Sequence, residues 1–150
     1  MLLDYGSGRK YPMSYKTSDF TGSPKYDFMI QDYKIEEISD GEVDVLRCRN
    51  VLHHIKPKDM DKLTSEFLRL LGDNGVLIVS EPKKEFFVEN RTLDIIWYRF
   101  LTEDYSIYIP NSYYNYRVHF EEHFQLIAEG YDGIKNEVLL FKKRNLWFHC

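Results

Sequence analysis

The chain has 150 residues, 43% hydrophobic and 29% charged, with a formal net charge of -4. That is enough to bury about 70% of the unfolded surface in one core and too few residues for two ordinary domains, so 1–150 reads as a single domain. The acidic balance excludes wholesale disorder and a surface that is basic throughout. Two cysteines, Cys48 and Cys150, cannot staple a secreted scaffold, and no charged segment followed by an apolar one opens the chain. No apolar run approaches the ~20 residues that cross a bilayer. A reduced, cytoplasmic protein without a membrane span is the expectation. Aromatic residues make up 16% of the chain, and ten of them fall between Trp97 and Phe124.

In chain order, Met1 to Asp4 reads as a short buried strand that runs into the turn Tyr5-Gly6-Ser7-Gly8. Tyr15 to Phe20 and Tyr26 to Ile30 are two more strands, each followed or closed by an acid, Asp19 and Asp32. After the turn Asp40-Gly41-Glu42, Val43 to Asn50 is a mostly apolar strand. From Pro57, Met60, Leu63, Phe67 and Leu70 recur at helical spacing as far as Gly72, which suits the left-handed position after a helix. Val76 to Val79 is then a continuous apolar strand of the kind covered on both faces of a parallel sheet. A helix is expected over 86–101, followed by an aromatic loop through Pro110. Phe124 to Tyr131 and Val138 to Lys143 make a closing hairpin. The pattern is α/β: a Rossmann-like open sheet, mostly parallel, with a C-terminal antiparallel hairpin and helices on both faces.

The Gly6-x-Gly8 turn lets backbone approach a ligand at the carboxyl edge of parallel strands. A dinucleotide fingerprint would carry a third glycine where this chain has Tyr11, and its acid ~20 residues on, so a nicotinamide site is disfavoured. Asp4, Asp19 and Asp32, at the ends of three successive strands, would repel a pyrophosphate. They suit a ligand bearing an ammonium, a ribose diol and an adenine amine, and S-adenosylmethionine has all three. Each acid has a plainer use, since short acids at strand ends also make turns and caps.

Leu2-Leu3-Asp4-Tyr5-Gly6-Ser7-Gly8, the strand Val43 to Leu46 with Asn50-Val51-Leu52-His53-His54-Ile55 after it, and Leu68 to Pro82 together resemble the class I S-adenosylmethionine-dependent methyltransferases. The likeness covers nearly the whole chain. It implies that Asp4, Gly6 and Gly8 hold the methionine part of the cofactor, Asp19 the ribose hydroxyls, and Asp32 the adenine amine, with Tyr33 beside the base. The segment from Asn50 to Ile55 would flank the methyl group. Lys10 stands where the family has its third glycine, and Gly8 to Asp19 leaves room for only about two helical turns, so this is a pared-down member.

Asn50 suits the methionine carboxylate, the acceptor or a cap; His53 suits a general base near neutral pH or a structural hydrogen bond. Tyr105, Tyr108 and Tyr113 alternate with polar residues and suit a lid or substrate surface, though core packing uses aromatics too. His119-Phe120-Glu121-Glu122-His123 matches a zinc-protease pattern without a third ligand in view, so no metal is expected. The reading is an enzyme that methylates an O or N nucleophile of an unidentified acceptor, nucleic acid and protein both being open. An exposed site also suits completion by a second copy or a partner subunit. The rival is a non-catalytic scaffold that keeps the fold.

Overall fold

The computed structural model describes residues 1–8, 14–21, 23–82, 116–132 and 136–144. Its strands are β1 (Leu2–Tyr5), β2 (Lys16–Asp19), β3 (Phe28–Met29), β4 (Val43–Arg49), β5 (Leu71–Pro82), β6 (Phe124–Asp132) and β7 (Asn136–Lys143). They form one seven-stranded sheet in the order β3-β2-β1-β4-β5-β7-β6. β1 to β5 run parallel, and β7 is antiparallel to both β5 and β6. The open parallel sheet and the closing hairpin both agree with the sequence.

Register explains where the core sits, because residues paired across strands share a face. Leu3, Leu46, Leu77 and Phe141 form one row across β1, β4, β5 and β7, and Tyr5, Cys48, Val79 and Leu139 form the next. All eight are 0% exposed. Helix α1 (Met60–Leu70) covers this face with Met60, Leu63, Phe67 and Leu70, the spacing of a single helical stripe. Phe67 meets the Tyr5 ring edge-on at 5.0 Å and stacks on Phe120 of α2 (Tyr116–Glu121) at 6.2 Å. Phe120 in turn packs on Phe124 and Phe141. Both helices among the described residues therefore lie on one face. The helix expected over 86–101 lies outside the described residues.

Two local expectations change. Pro57 opens a 3-10 turn, Pro57–Asp59, rather than α1 itself. Gly72 is not the left-handed end of that helix: the chain leaves extended at Leu71, φ -74° and ψ 132°, and β5 begins there, five residues before the expected Val76. Glycine is needed at 72 for another reason, since a Cβ would stand 3.0 Å from the Gly41 carbonyl. Gly41, at φ +76°, donates its N–H to the Arg69 carbonyl, so a distant turn satisfies the end of α1. Between β2 and β3 the described residues make turns.

Phe67 is the aromatic that joins α1, α2 and the sheet. Phe67→Ala should lower the unfolding free energy by about 3–5 kcal/mol in a urea titration followed by circular dichroism. Phe67→Leu should keep most of it.

Candidate functional site

The turn after β1 is built from backbone that cannot stay in the sheet. Gly6 and Gly8 both have positive φ, +70° and +58°. A Cβ on Gly6 would come within 2.6 Å of Val51 Cγ2, so here glycine serves both a left-handed backbone and a close approach. Ser7 and Ser18 lock the turn to β2: both hydroxyls donate to the Asp4 carbonyl, Ser7 N–H donates to the Ser18 carbonyl, and Ser18 N–H donates to Ser7 Oγ. The Tyr26 hydroxyl donates to the Gly8 carbonyl at 2.6 Å.

Asp19 ends β2 beside this turn. Its Oδ2 accepts the Gly8 N–H at 2.9 Å and its Oδ1 accepts the Phe20 N–H at 2.7 Å. Each carboxylate oxygen has a second lone pair, so the side chain can still accept from a diol. Beyond β3, Gln31 and Lys34 exchange both backbone hydrogen bonds around Asp32 and Tyr33, which both have positive φ, +47° and +67°. Two consecutive left-handed residues are the geometry of a tight type I′ turn. The Tyr5 hydroxyl donates to the Tyr33 carbonyl at 2.7 Å, and the Tyr33 hydroxyl donates to Asp59 Oδ2 at 3.0 Å. Burial first, then the Asp59 carboxylate, push the Tyr33 hydroxyl up to about 12, so it keeps its proton at neutral pH. Phe20 stands edge-on to Tyr5 and Tyr33, and Asp32 is exposed, its Oδ1 3.2 Å from Lys62 Nζ.

After β4, Asn50 takes a left-handed φ of +55° and donates its N–H to the Ser80 carbonyl. The next turn, Leu52–His54, hangs from one buried carboxylate. Glu81 Oε1 accepts the N–H groups of Val51 and Leu52, at 2.8 and 2.6 Å, and Glu81 Oε2 lies 2.8 Å from His53 Nδ1. A carboxylate only accepts, so His53 carries its hydrogen on Nδ1. His53 is 3% exposed, while the His54 ring lies tilted beside it, centroids 4.0 Å apart, and is half-buried.

The structure thus brings Gly6, Gly8, Asp19, Asp32, Tyr33 and Asn50 to the carboxyl edge of β1 to β4, with His53 buried just behind. Asp4 stands apart from them. Tyr5, not Asp4, is the strand's last residue, and Asp4 is 2% exposed on the other face of the sheet from Tyr5, with its Oδ1 3.2 Å from Arg47 Nη1. Burial raises its carboxyl above the usual range, against the pull of Arg47. Tyr105, Tyr108 and Tyr113 lie outside the described residues. His119 Nε2 is bonded to Thr64 Oγ1 at 2.8 Å, and among the described residues no three His, Cys, Asp or Glu side chains gather as metal ligands. Sequence reasoning missed Glu81. Its signal was an acid closing the apolar run Val76 to Ser80, a place where a buried charge must find donors.

The donor and acceptor set fits the groups that the sequence led one to expect: a cradle without side chains at Gly6 and Gly8, a carboxylate with lone pairs to spare at Asp19, and a shaped turn at Asp32-Tyr33. No helix among the described residues is long and apolar enough to cross a membrane.

A family model described as a methyltransferase domain matches residues 2–127. No curated protein matches the chain. Among solved structures, a protein from Pyrococcus horikoshii aligns with a TM-score of 0.67 at 12% identity, over 95% of this chain and 81% of that one. An S-adenosylmethionine-dependent methyltransferase from Aquifex aeolicus aligns with a TM-score of 0.61 at 14% identity, over 95% and 81%. The 1,6-didemethyltoxoflavin N1-methyltransferase of Burkholderia thailandensis, solved with S-adenosylhomocysteine and its substrate, aligns with a TM-score of 0.59 at 13% identity, over 96% and 71%. These likenesses carry the fold.

Two predictions separate the roles of these residues. Gly6→Ala, which adds a clash to a left-handed backbone, should cost about 2–4 kcal/mol of stability, and Gly8→Ala, whose Cβ would meet nothing within 4 Å, about 1–2, read by chemical denaturation. Arg47→Met should strand a buried carboxylate and cost up to about 3 kcal/mol at pH 7, at the low end for a buried pair because Arg47 keeps 17% of its side chain exposed. A raised carboxyl binds its proton more readily folded than unfolded. The stability it allows is therefore fullest below the unfolded value and lost as pH rises through the folded one. The Arg47→Met deficit should accordingly shrink between pH 7 and pH 5.

Proposed function

This chain belongs to the methyltransferase-domain family, with the class I S-adenosylmethionine-dependent fold, and we propose that it methylates an O or N nucleophile of an acceptor, nucleic acid and protein both being open. The observation that carries this reading is the alignment of a glycine cradle, an acid with free lone pairs and three left-handed non-glycine residues along one edge of the parallel strands. Strained backbone held by surrounding contacts is characteristic of ligand sites.

S-adenosylmethionine supplies an electrophilic methyl group on a sulfonium when bound. The protein's part is placement and exclusion of water. In this proposal Gly6 and Gly8 let the backbone approach the methionine portion, Asp19 accepts from the ribose hydroxyls, and Asp32 accepts from the adenine amine with Tyr33 beside the ring. Asp4 acts through Arg47 and the Ser7-Ser18 lock, and Asn50 faces the methionine end. A base is needed only for a nucleophile that must lose a proton. His53, its ring oriented by Glu81, is assigned that step. Tyr105, Tyr108 and Tyr113 are assigned to the acceptor, whose bulk would help exclude water from the site.

The test is calorimetric titration with S-adenosylhomocysteine. Asp19→Ala should weaken binding about tenfold or more, the worth of hydrogen bonds to a charged group, while the exposed Asp73→Ala should leave it unchanged. Equal binding by wild type and Asp19→Ala would remove the proposed ribose contact.

A further inference from the structure

The side-chain orientation of Asn50, at the end of β4, is set from elsewhere in the fold. Its Oδ1 accepts a hydrogen bond from Asn136 Nδ2 at 3.1 Å. Asn136 opens β7, is 7% exposed, and gives a hydrogen from the same Nδ2 to Ser80 Oγ at 3.1 Å. An asparagine amide offers one accepting oxygen and two donated hydrogens. With the oxygen of Asn50 turned back onto the sheet, its NH2 is turned away from Asn136, and among the described residues no group takes those hydrogens. The backbone agrees, since Asn50 N–H is fixed to the Ser80 carbonyl and the next two amides to Glu81. A left-handed residue costs about 1–2 kcal/mol, and here three strand ends cooperate to hold it.

We infer that Asn136 is a positioning residue that presents the Asn50 amide hydrogens to the methionine carboxylate of the cofactor. The inference rests on the cofactor site proposed above. Hydrogens on nitrogen suit an anionic oxygen and oppose an ammonium. This chain has particular need of such donors. Only residues 9–15 separate Gly8 from β2, about two helical turns at most, so a long helix whose N-terminal amides would meet an anion has no room there. The cation of Arg47 is engaged by Asp4. The orienting pair joins residues 86 apart, one at the end of a parallel strand and one at the start of the antiparallel strand that closes the sheet.

The experiment compares two ligands on the full chain: S-adenosylhomocysteine, and 5′-methylthioadenosine, which keeps the adenosine and thioether but lacks the carboxylate and ammonium. Calorimetry on wild type, Asn136→Ala and Asn50→Asp should show both variants losing about tenfold or more for S-adenosylhomocysteine and less than about twofold for 5′-methylthioadenosine. Equal losses for the two ligands would reduce Asn136 to a structural residue and overturn the inference. Tighter binding of S-adenosylhomocysteine by Asn50→Asp would mean that Asn50 faces the ammonium, which also overturns it. Unchanged binding in both variants would overturn it and leave the cofactor site standing. A wild type that binds neither ligand would overturn the site and the inference together.

Discussion

A parallel strand that stops at a sheet edge leaves amide hydrogens with no neighbouring strand to receive them, and burial forbids leaving them unpaired. In this protein side-chain carboxylates receive them. Glu81 takes the two amides that follow Asn50, and Asp19 takes those of Gly8 and Phe20. Both acids stand at the carboxyl edge, on β2 and β5, with β1 and β4 between them. The requirement that closes the backbone therefore also shapes the cradle. Gly6 is pressed against Val51, a residue that Glu81 holds, so the two halves of the rim are in contact.

This economy suits the short connections between β1, β2 and β3. The turn after β1 is fastened by Ser7, Ser18 and Tyr26, and Asp27 ties Thr17 to the turn before β3 through its Oδ2, which accepts from the Thr17 N–H and hydroxyl. Hydrogen bonds replace much of the packing that longer helices would give. The opposite face compensates with density: it carries two rows of four residues, all fully buried, and Phe67 and Phe120 pack on two of them, Tyr5 and Phe141. Local polar locks on one side and a continuous apolar layer on the other shape the edge between them.

The β4-α1-β5 unit was legible because its signals are local. Helical spacing from Met60 to Leu70 and the unbroken run Val76 to Val79 need no knowledge of partners. Gly72 misled because glycine answers two demands, a left-handed turn or a close approach, and sequence does not distinguish them. Asp4 was expected at the tip, yet the strand runs one residue further and the carboxylate turns to Arg47 across the sheet. The place of Gly6, Gly8, Asp19 and Asp32 at the strand ends was legible from type and spacing, whereas their hydrogen-bond partners were not. The contacts of Glu81 and Asn136 at this edge were invisible, since their partners lie about 30 and 86 positions away. Such contacts exist only once the sheet order is fixed.

The central claim is that the carboxyl edge of β1 to β4 binds S-adenosylmethionine. The most direct measurement is an amide-resolved NMR titration of the 15N-labelled protein with S-adenosylhomocysteine. The largest shifts are expected at Gly6, Gly8, Asp19, Tyr33 and Asn50, with Val118 and Ile127, on α2 and β6, unmoved. Saturable shifts that spare Gly6, Gly8 and Asp19 while moving other parts of the sheet would contradict it.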